Sequence, residues 1–347
     1  MEQECIVFKN LKDQMKKEKI LIFRIGALWD VLMTTPFIRE LRKQNEDTQI
    51  DYLTWKSNYV LLKDNEYLDN ILTMKDDLFF KYRFLDYFKL ILKIRKEKYD
   101  KIYVMDKHWI FALTAFLFWI KKRIWFFRDK LSKFFLTDWV KYWKQIKHEV
   151  DYNLELLWKI RDWVDKKLYF NLQKKDEEKV LNYLKENNIK EYVVVINDWW
   201  NNWFEVWWVR MLPDEKFKQL LEKLSKTNKV FLLAWPNMKD YYDRFILNEN
   251  VINVAWKFKI PESFALLKYA KKLYSTDCGP MHMASCVNNN VIWFFWPTHP
   301  KRKFSCIWWK YYFSKEDEKN YDFNYEDWWK IPVWKKFFRD LDINEVV

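Results

Sequence analysis

The sequence predicts an α/β protein made of two doubly wound parallel sheets in succession. Three observations carry this. Apolar runs of strand length alternate with helical stretches from end to end. Two strand-to-helix turns, Gly26–Asp30 and Asp277–His282, combine Asp with Gly, as ligand turns at the carboxyl edge of a parallel sheet do. The length of 347 residues is about two domains' worth, and half the residues are hydrophobic, enough for two cores.

The elements follow in order. Residues 1–18 are polar and read as a helical extension. Lys19–Ile25 is a buried strand, Gly26–Asp30 the turn after it, and Val31–Asn45 an amphipathic helix with Leu32, Thr35, Ile38 and Leu41 on one side. Ile50–Thr54 and Asn70–Met74 are strands separated by a loop and a helix. Phe84–Tyr99 is a basic, aromatic helix, Lys101–Asp106 a strand, and Phe111–Ile120 an apolar helix that leads through Lys121–Ile124 into another strand. Asp151–Val164 and Asp176–Asn188 read as helices.

The second half repeats the scheme. Glu191–Ile196 is a strand with a continuous apolar run, and 197–209 is a long loop. Pro213–Lys226 is a helix with Pro near its start. Lys229–Ala234, Val251–Val254, Leu273–Ser275 and Val291–Phe295 are strands, alternating with helices at Lys239–Leu247 and Ile260–Lys272 and in the small-residue run after Asp277. Trp296–Pro300 is a loop, and Pro332–Val347 ends in a short helix.

Glycine is anomalous. A chain of this length at average usage carries roughly 24 glycines; this one has 2, with 23 tryptophans. The tryptophans stand where glycine belongs. Trp199-Trp200, Trp207-Trp208, Trp308-Trp309 and Trp328-Trp329 sit in polar, turn-like surroundings, and Trp235 and Trp296 precede prolines at strand ends. Such positions often need φ > 0, which glycine supplies and tryptophan resists. The reading adopted is that most of these tryptophans are glycines in the native protein: UGA codons that some bacteria read as glycine, translated by a table that reads them as tryptophan. The alternative is a tryptophan-rich carbohydrate binder, which leaves the missing glycines unaccounted for.

Composition narrows the class. The longest apolar run, Trp109–Ile120, is too short to span a bilayer. The polar, charged start has no secretion-signal pattern, and Cys5, Cys278, Cys286 and Cys306 have no CxxC spacing. A cytoplasmic protein is expected, without a disulfide framework or zinc site. A net charge of +13 calls for an anionic partner. A nucleic-acid binder would cluster its basic residues on one face with stacking aromatics; here the charges are spread throughout. The basic, apolar segments 84–101 and 117–147 suit an anionic membrane surface, or are solvated helix faces.

Several residues are candidates for chemistry. Asp30, in the first turn, is placed to accept a proton from an attacking hydroxyl, or to cap a helix. Arg210 ends the loop after the second half's first strand, and a guanidinium beside a helix N-terminus suits a diphosphate; a solvated arginine is the plainer reading. Asp277, Gly279 and His282 surround one helix N-terminus, as an anion site or as an ordinary capped turn. Thr298 and His299 follow a strand on the same sheet edge, to line the same site or as ordinary loop residues. No third ligand accompanies the two histidines, so no metal is expected.

With tryptophan read as glycine, residues 24–36 become R-I-G-A-L-G-D-V-L-M-T-T-P, 233–236 L-A-G-P and 294–300 F-F-G-P-T-H-P. Residues 275–284 stand as S-T-D-C-G-P-M-H-M-A, and the loop before 213 ends R-M-L-P. In this order and spacing, over about residues 19–305, the chain resembles glycosyltransferase family 9, the heptosyltransferases of lipopolysaccharide core assembly.

The resemblance implies a GT-B fold: two Rossmann-like domains with parallel sheets facing a cleft. Residues 1–170 would bind the acceptor, residues 171–330 the nucleotide sugar, and a C-terminal helix in 331–347 would pack back toward the first domain. It implies inverting transfer, without bound metal, from a nucleoside-diphosphate sugar, ADP-heptose in the characterised members, to a lipid-linked glycan at the inner membrane face. Asp30 matches the family's proposed base. Arg210 matches the residue at the diphosphate, and Asp277, Cys278, Gly279 and His282 match the donor turn. Thr298 is expected to line the same site, and His299 stands where many members have Asp. If Trp29, Trp199, Trp200, Trp235 and Trp296 are truly tryptophan, indoles fill the donor site and a degenerate, ligand-binding GT-B protein is expected instead.

Overall fold

The computed structural model describes residues 17–79, 81, 83–106, 108–127, 133–141, 147–158, 164–198, 210–288, 290–295, 300, 310–313, 338 and 341–347. The chain divides into two compact units. One comprises Met1–Ala27, Pro36–Lys144 and Asn153–Val164, the other Leu28–Thr35, Gln145–Tyr152 and Asp165–Val347.

The first unit holds a sheet of β1 (Lys19–Phe23), β2 (Gln49–Trp55), β3 (Asn70–Met74), β4 (Lys101–Val104), β5 (Lys122–Phe127) and β6 (Asp138–Lys141). Their spatial order is β3-β2-β1-β4-β5-β6, and every pair is parallel. Strand order reverses between β1 and β4, which makes their carboxyl ends the place where such a sheet opens a ligand crevice. Ile20, Leu21, Ile22 and Phe23 are fully buried, as expected of a central strand covered on both faces.

At that opening the backbone is tied down by side chains. The Ile25 N–H donates to Asp106 Oδ2 at 2.6 Å, and Arg24 pairs with the same carboxylate at 3.6 Å while its guanidinium donates to the Met105 carbonyl. Asn58 Nδ2 donates to the Gly26 carbonyl and to Thr54 Oγ1, both at 3.0 Å. Arg24 and Asp106 are almost entirely removed from solvent, so each meets its charge requirement in the other.

The expected helix Val31–Asn45 is two helices, α1 (Leu28–Leu32) and α2 (Thr35–Gln44). Pro36 has no N–H to give the Leu32 carbonyl. Thr35 Oγ1 supplies that bond instead, at 2.7 Å, and Thr34 Oγ1 bonds the Val31 carbonyl likewise. Helix α1 groups with the second unit and α2 with the first.

The first half also holds the α-helices α3 (Tyr59–Leu62), α4 (Phe84–Glu97) and α5 (Trp109–Leu117). Then α6 (Glu149–Glu155) and α7 (Lys174–Glu186) lead into the second sheet. Of the expected helix Asp151–Val164, residues 151–155 belong to α6, which begins at Glu149; Trp158 has φ 60°, and 159–163 lie outside the described residues. The short strand β6 escaped notice because its half-exposed alternation over four residues lies inside a basic, aromatic stretch.

The second unit's sheet is built from β7 (Tyr192–Ile196), β8 (Lys229–Leu232), β9 (Val251–Asn253), β10 (Lys272–Thr276), β11 (Val291–Phe295) and β12 (Lys310–Phe313). Its order, β12-β11-β10-β7-β8-β9, is the first sheet's order repeated, again all parallel. Here the reversal falls between β7 and β10. Helices α8 (Asp214–Leu224), α9 (Lys239–Asp243), α10 (Ile260–Tyr269) and α11 (Gly279–Val287) connect the strands. Phe217, Leu220, Leu221 and Leu224 of α8 pack on Val230 and Leu232 of β8. The tail helix α12 (Ile343–Val346) seats Ile343 and Val346 in the same core.

Candidate functional site

The polar groups of the second unit gather at the carboxyl ends of β7 and β10, where strand order reverses. The apolar run of β7 stops at Asn197 and Asp198, both fully buried. Burial of polar side chains at a strand end demands partners, and both have them. Asn197 Oδ1 accepts the Leu212 N–H at 2.7 Å and Nδ2 donates to the Leu212 carbonyl at 3.2 Å; its own N–H donates to Tyr242 Oη at 2.8 Å. Asp198 Oδ2 accepts the Trp235 N–H, and its backbone N–H bonds Thr276 Oγ1, both at 3.3 Å. The ends of β7, β8 and β10 are thereby fastened together.

Asn197 fixes Leu212, two residues beyond Arg210. The Arg210 guanidinium lies 3.0 Å from Asp277 Oδ2 and donates to the Asp277 carbonyl at 3.4 Å. Asp277 is 3 % exposed. It directly precedes Cys278, whose extended backbone leads into α11 with Pro280 in the first turn. A cation, a strand edge and the N-terminus of a nine-residue helix therefore meet at one place, an arrangement suited to phosphate oxygens. Burial, aided by the Asp198 carboxylate, pushes the Cys278 thiol up, which favours its protonated form. His282 is buried in the first turn of α11.

Helix α1 packs against α11, and the Trp29 indole lies over Gly279 so closely that a Cβ on residue 279 would collide with the ring. Asp30, next to Trp29, is half-buried in this same unit. Of the residues singled out from sequence, Arg210, Asp277, Cys278, Gly279 and His282 come together and Asp30 sits on the helix packed against them. Thr298 and His299, with Trp199, Trp200 and Trp296, lie outside the described residues. Asn197 and Asp198 were missed; the signal was in the sequence, a polar pair directly after an unbroken Val-Val-Val-Ile run. Among the described residues, no group of three or more His, Cys, Asp or Glu is placed to hold a metal ion.

The profile of glycosyltransferase family 9 (heptosyltransferase) matches residues 87–320, about two thirds of the chain. The chain belongs to this family. This glycosyltransferase is 25% identical over 289 residues to lipopolysaccharide heptosyltransferase 3 of Escherichia coli, covering 78% of this chain and 81% of that protein. Its fold is similar to the crystal structure of a family 9 glycosyltransferase from Veillonella parvula, with a TM-score of 0.77 at 14% identity, over 87% of this chain and 88% of the other. It is also similar to E. coli ADP-heptose lps heptosyltransferase II, with a TM-score of 0.71 at 16% identity, over 85% and 90%. The two all-parallel sheets of this glycosyltransferase are those of the GT-B fold.

Proposed function

We propose that this glycosyltransferase moves a heptose-like sugar from an ADP-sugar to a lipid-linked glycan of the cell envelope, with inversion at the anomeric carbon. The observation that carries the proposal is the Arg210–Asp277 pair beside the α11 N-terminus at the β7/β10 reversal. The names of the relatives, lipopolysaccharide heptosyltransferase and ADP-heptose lps heptosyltransferase, supply the substrate classes. The donor diphosphate sits against Arg210 and the backbone N–H groups of Gly279 and its neighbours, with Cys278 and His282 beside it. The acceptor hydroxyl attacks the anomeric carbon while its proton passes to Asp30. The bond from that carbon to the diphosphate breaks, and ADP leaves with the electron pair. Charge grows on the leaving oxygen in that step, and Arg210 and the helix N-terminus meet it without a metal ion.

The same proposal takes the tryptophans at turns as glycines of the native protein. Trp119, just past the α5 C-cap Phe118, and Trp158, three residues beyond α6, carry φ of 62° and 60°, a left-handed conformation that favours glycine. The Trp29 indole occupies the space over the α11 N-terminus that a diphosphate needs. If that indole is native, a blocked and non-catalytic relative follows. Peptide masses of the native protein over Glu191–Arg210, which holds five tryptophans in this sequence, decide between the two.

The test of function is sugar transfer from ADP-heptose to a lipid-linked acceptor by the protein carrying glycine at the tryptophan positions. Activity is expected, and Asp30→Ala is expected to reduce it by roughly 10²–10⁴-fold, the span of general base catalysis. Full activity of Asp30→Ala would refute the role given to Asp30.

A further inference from the structure

Helix α1 carries Asp30, yet it is fastened to the unit that holds the donor turn. Leu28–Thr35 groups with the second unit, while Ala27 and Pro36 on either side belong to the first. A helix of five residues has too few internal bonds to hold its own course. Its place is set by what it touches. One contact is α11, which packs directly against it. Another runs through Thr35.

Thr35 is fully buried, and its hydroxyl is used twice. Oγ1 donates to the Leu32 carbonyl at 2.7 Å, at the last residue of α1, and accepts the Tyr169 N–H at 2.9 Å. Tyr169 lies in a stretch, 164–173, without helix or strand. That stretch is anchored on both sides of Tyr169. Leu168 is buried, and the Phe170 ring stacks on Phe264 of α10, with 3.8 Å between centroids and 8° between planes. Helix α10 in turn packs on α11. The circuit from α1 through Thr35, Tyr169, Phe170, α10 and α11 back to α1 is closed, and every member belongs to the second unit. Helix α1 brings Asp30 to it, and α11 brings Gly279 and His282.

We propose that Thr35 is a positioning residue for sugar transfer: its hydroxyl fixes α1, and with it Asp30, relative to the donor turn. This rests on the reading of Asp30 as the group that takes the acceptor's proton. A base must lie within hydrogen-bond reach of that proton. A displacement of about 1 Å costs on the order of 100-fold in rate. The double use selects the residue type. Pro36 has no N–H for the Leu32 carbonyl, so position 35 must donate; Tyr169 brings an N–H, so the same position must accept. A hydroxyl does both. Threonine adds a branched Cβ that stiffens the side chain. Valine has the same shape and can do neither.

The test is transfer from ADP-heptose by the protein with glycine at the tryptophan positions, for Thr35→Val, Thr35→Ser, Asp30→Ala and the double variant of Asp30→Ala with Thr35→Val, beside ADP affinity by calorimetry. Thr35→Val is expected to lower kcat by roughly 10–100-fold and to leave ADP affinity unchanged. Thr35→Ser, which keeps the hydroxyl, should recover most of the rate. The double variant should be no slower than Asp30→Ala, because a residue that acts through Asp30 has nothing left to position. A threonine that only holds the fold together would lower kcat and ADP affinity in step, or add its loss to that of Asp30→Ala; either result overturns the proposal. Full activity of Thr35→Val beside a slow Asp30→Ala overturns it and leaves the role of Asp30 standing. Full activity of Asp30→Ala, or no transfer by the parent protein, removes both. If Thr35→Val does not fold, Phe170→Leu loosens the same stretch at its other anchor. A several-fold loss of kcat that Asp30→Ala masks is then expected, and an unchanged kcat overturns the proposal.

Discussion

The two sheets share one strand order, and each has an arginine–aspartate pair where that order reverses, but the pairs are built differently. In the first unit Arg24 and Asp106 leave the ends of neighbouring strands, and their side chains are 6 and 10 % exposed. Asp106 also holds the Ile25 N–H, and the guanidinium holds the Met105 carbonyl. This pair braces backbone. In the second unit Arg210 lies 14 positions beyond the end of β7 and meets Asp277 just ahead of the α11 N-terminus, its side chain 16 % exposed. Here the cation stands beside a helix end that attracts anions. One topology thus yields a brace in one place and a candidate ligand site in the other. The origin of the arginine makes the difference.

The strongest way to break this comparison is to remove the brace. Asp106→Ala leaves Arg24 buried without its counter-charge and the Ile25 N–H without its acceptor, so a loss of about 3–5 kcal/mol is expected. Urea unfolding would measure it. Asp277→Ala should cost less stability, since Arg210 lies nearer solvent; an equal loss would erase the distinction.

A smaller effect separates scaffold from site within the second unit. Burial pushes the Glu262 carboxyl up, but Lys179 at 2.5 Å and the Lys259 N–H at 2.9 Å outweigh it and hold the carboxyl below its ordinary value. A depressed carboxylate contributes stability that is complete above its unfolded pKa and lost as pH falls through the folded one. Stability should therefore decline as pH drops below about 4.5, and Glu262→Gln should flatten that part of the curve. Thermal unfolding between pH 6 and pH 3 checks this. A curve of unchanged slope would remove Glu262 from the account.

The smallest effect concerns Trp119. Its left-handed backbone costs about 1–2 kcal/mol, offset by about 0.5–1 kcal/mol from the Arg95 guanidinium 4.6 Å over its ring. Trp119→Gly should then stabilise the first unit by about 1 kcal/mol or less. Destabilisation would show that the ring contact outweighs the strain.

The fold was legible because parallel strands buried on both faces write themselves as unbroken apolar runs, as in Val193–Ile196 and Ile20–Phe23. What escaped was edge structure: β6 and β12 are short and lean on one neighbour each. The split between α1 and α2 turns on Thr35 standing in for the missing N–H of Pro36. In the site, Arg210 and the Asp277–His282 turn were legible because motif and spacing carry them. Asp198, Asn197, Arg24 and Asp106 were not, since each works through partners 15 to 82 positions away or nearby strand ends that only folding brings into reach.

The most direct test is calorimetric titration of ADP into two proteins, the chain as given and the chain with glycine at positions 29, 199, 200, 235 and 296. The account predicts binding by the glycine form, at least ten-fold weaker binding after Arg210→Ala, as expected for loss of a charge-assisted contact to phosphate, and none by the form with Trp29 over Gly279. Equal affinity of both forms, or indifference to Arg210→Ala, would contradict a donor site at the β7/β10 edge.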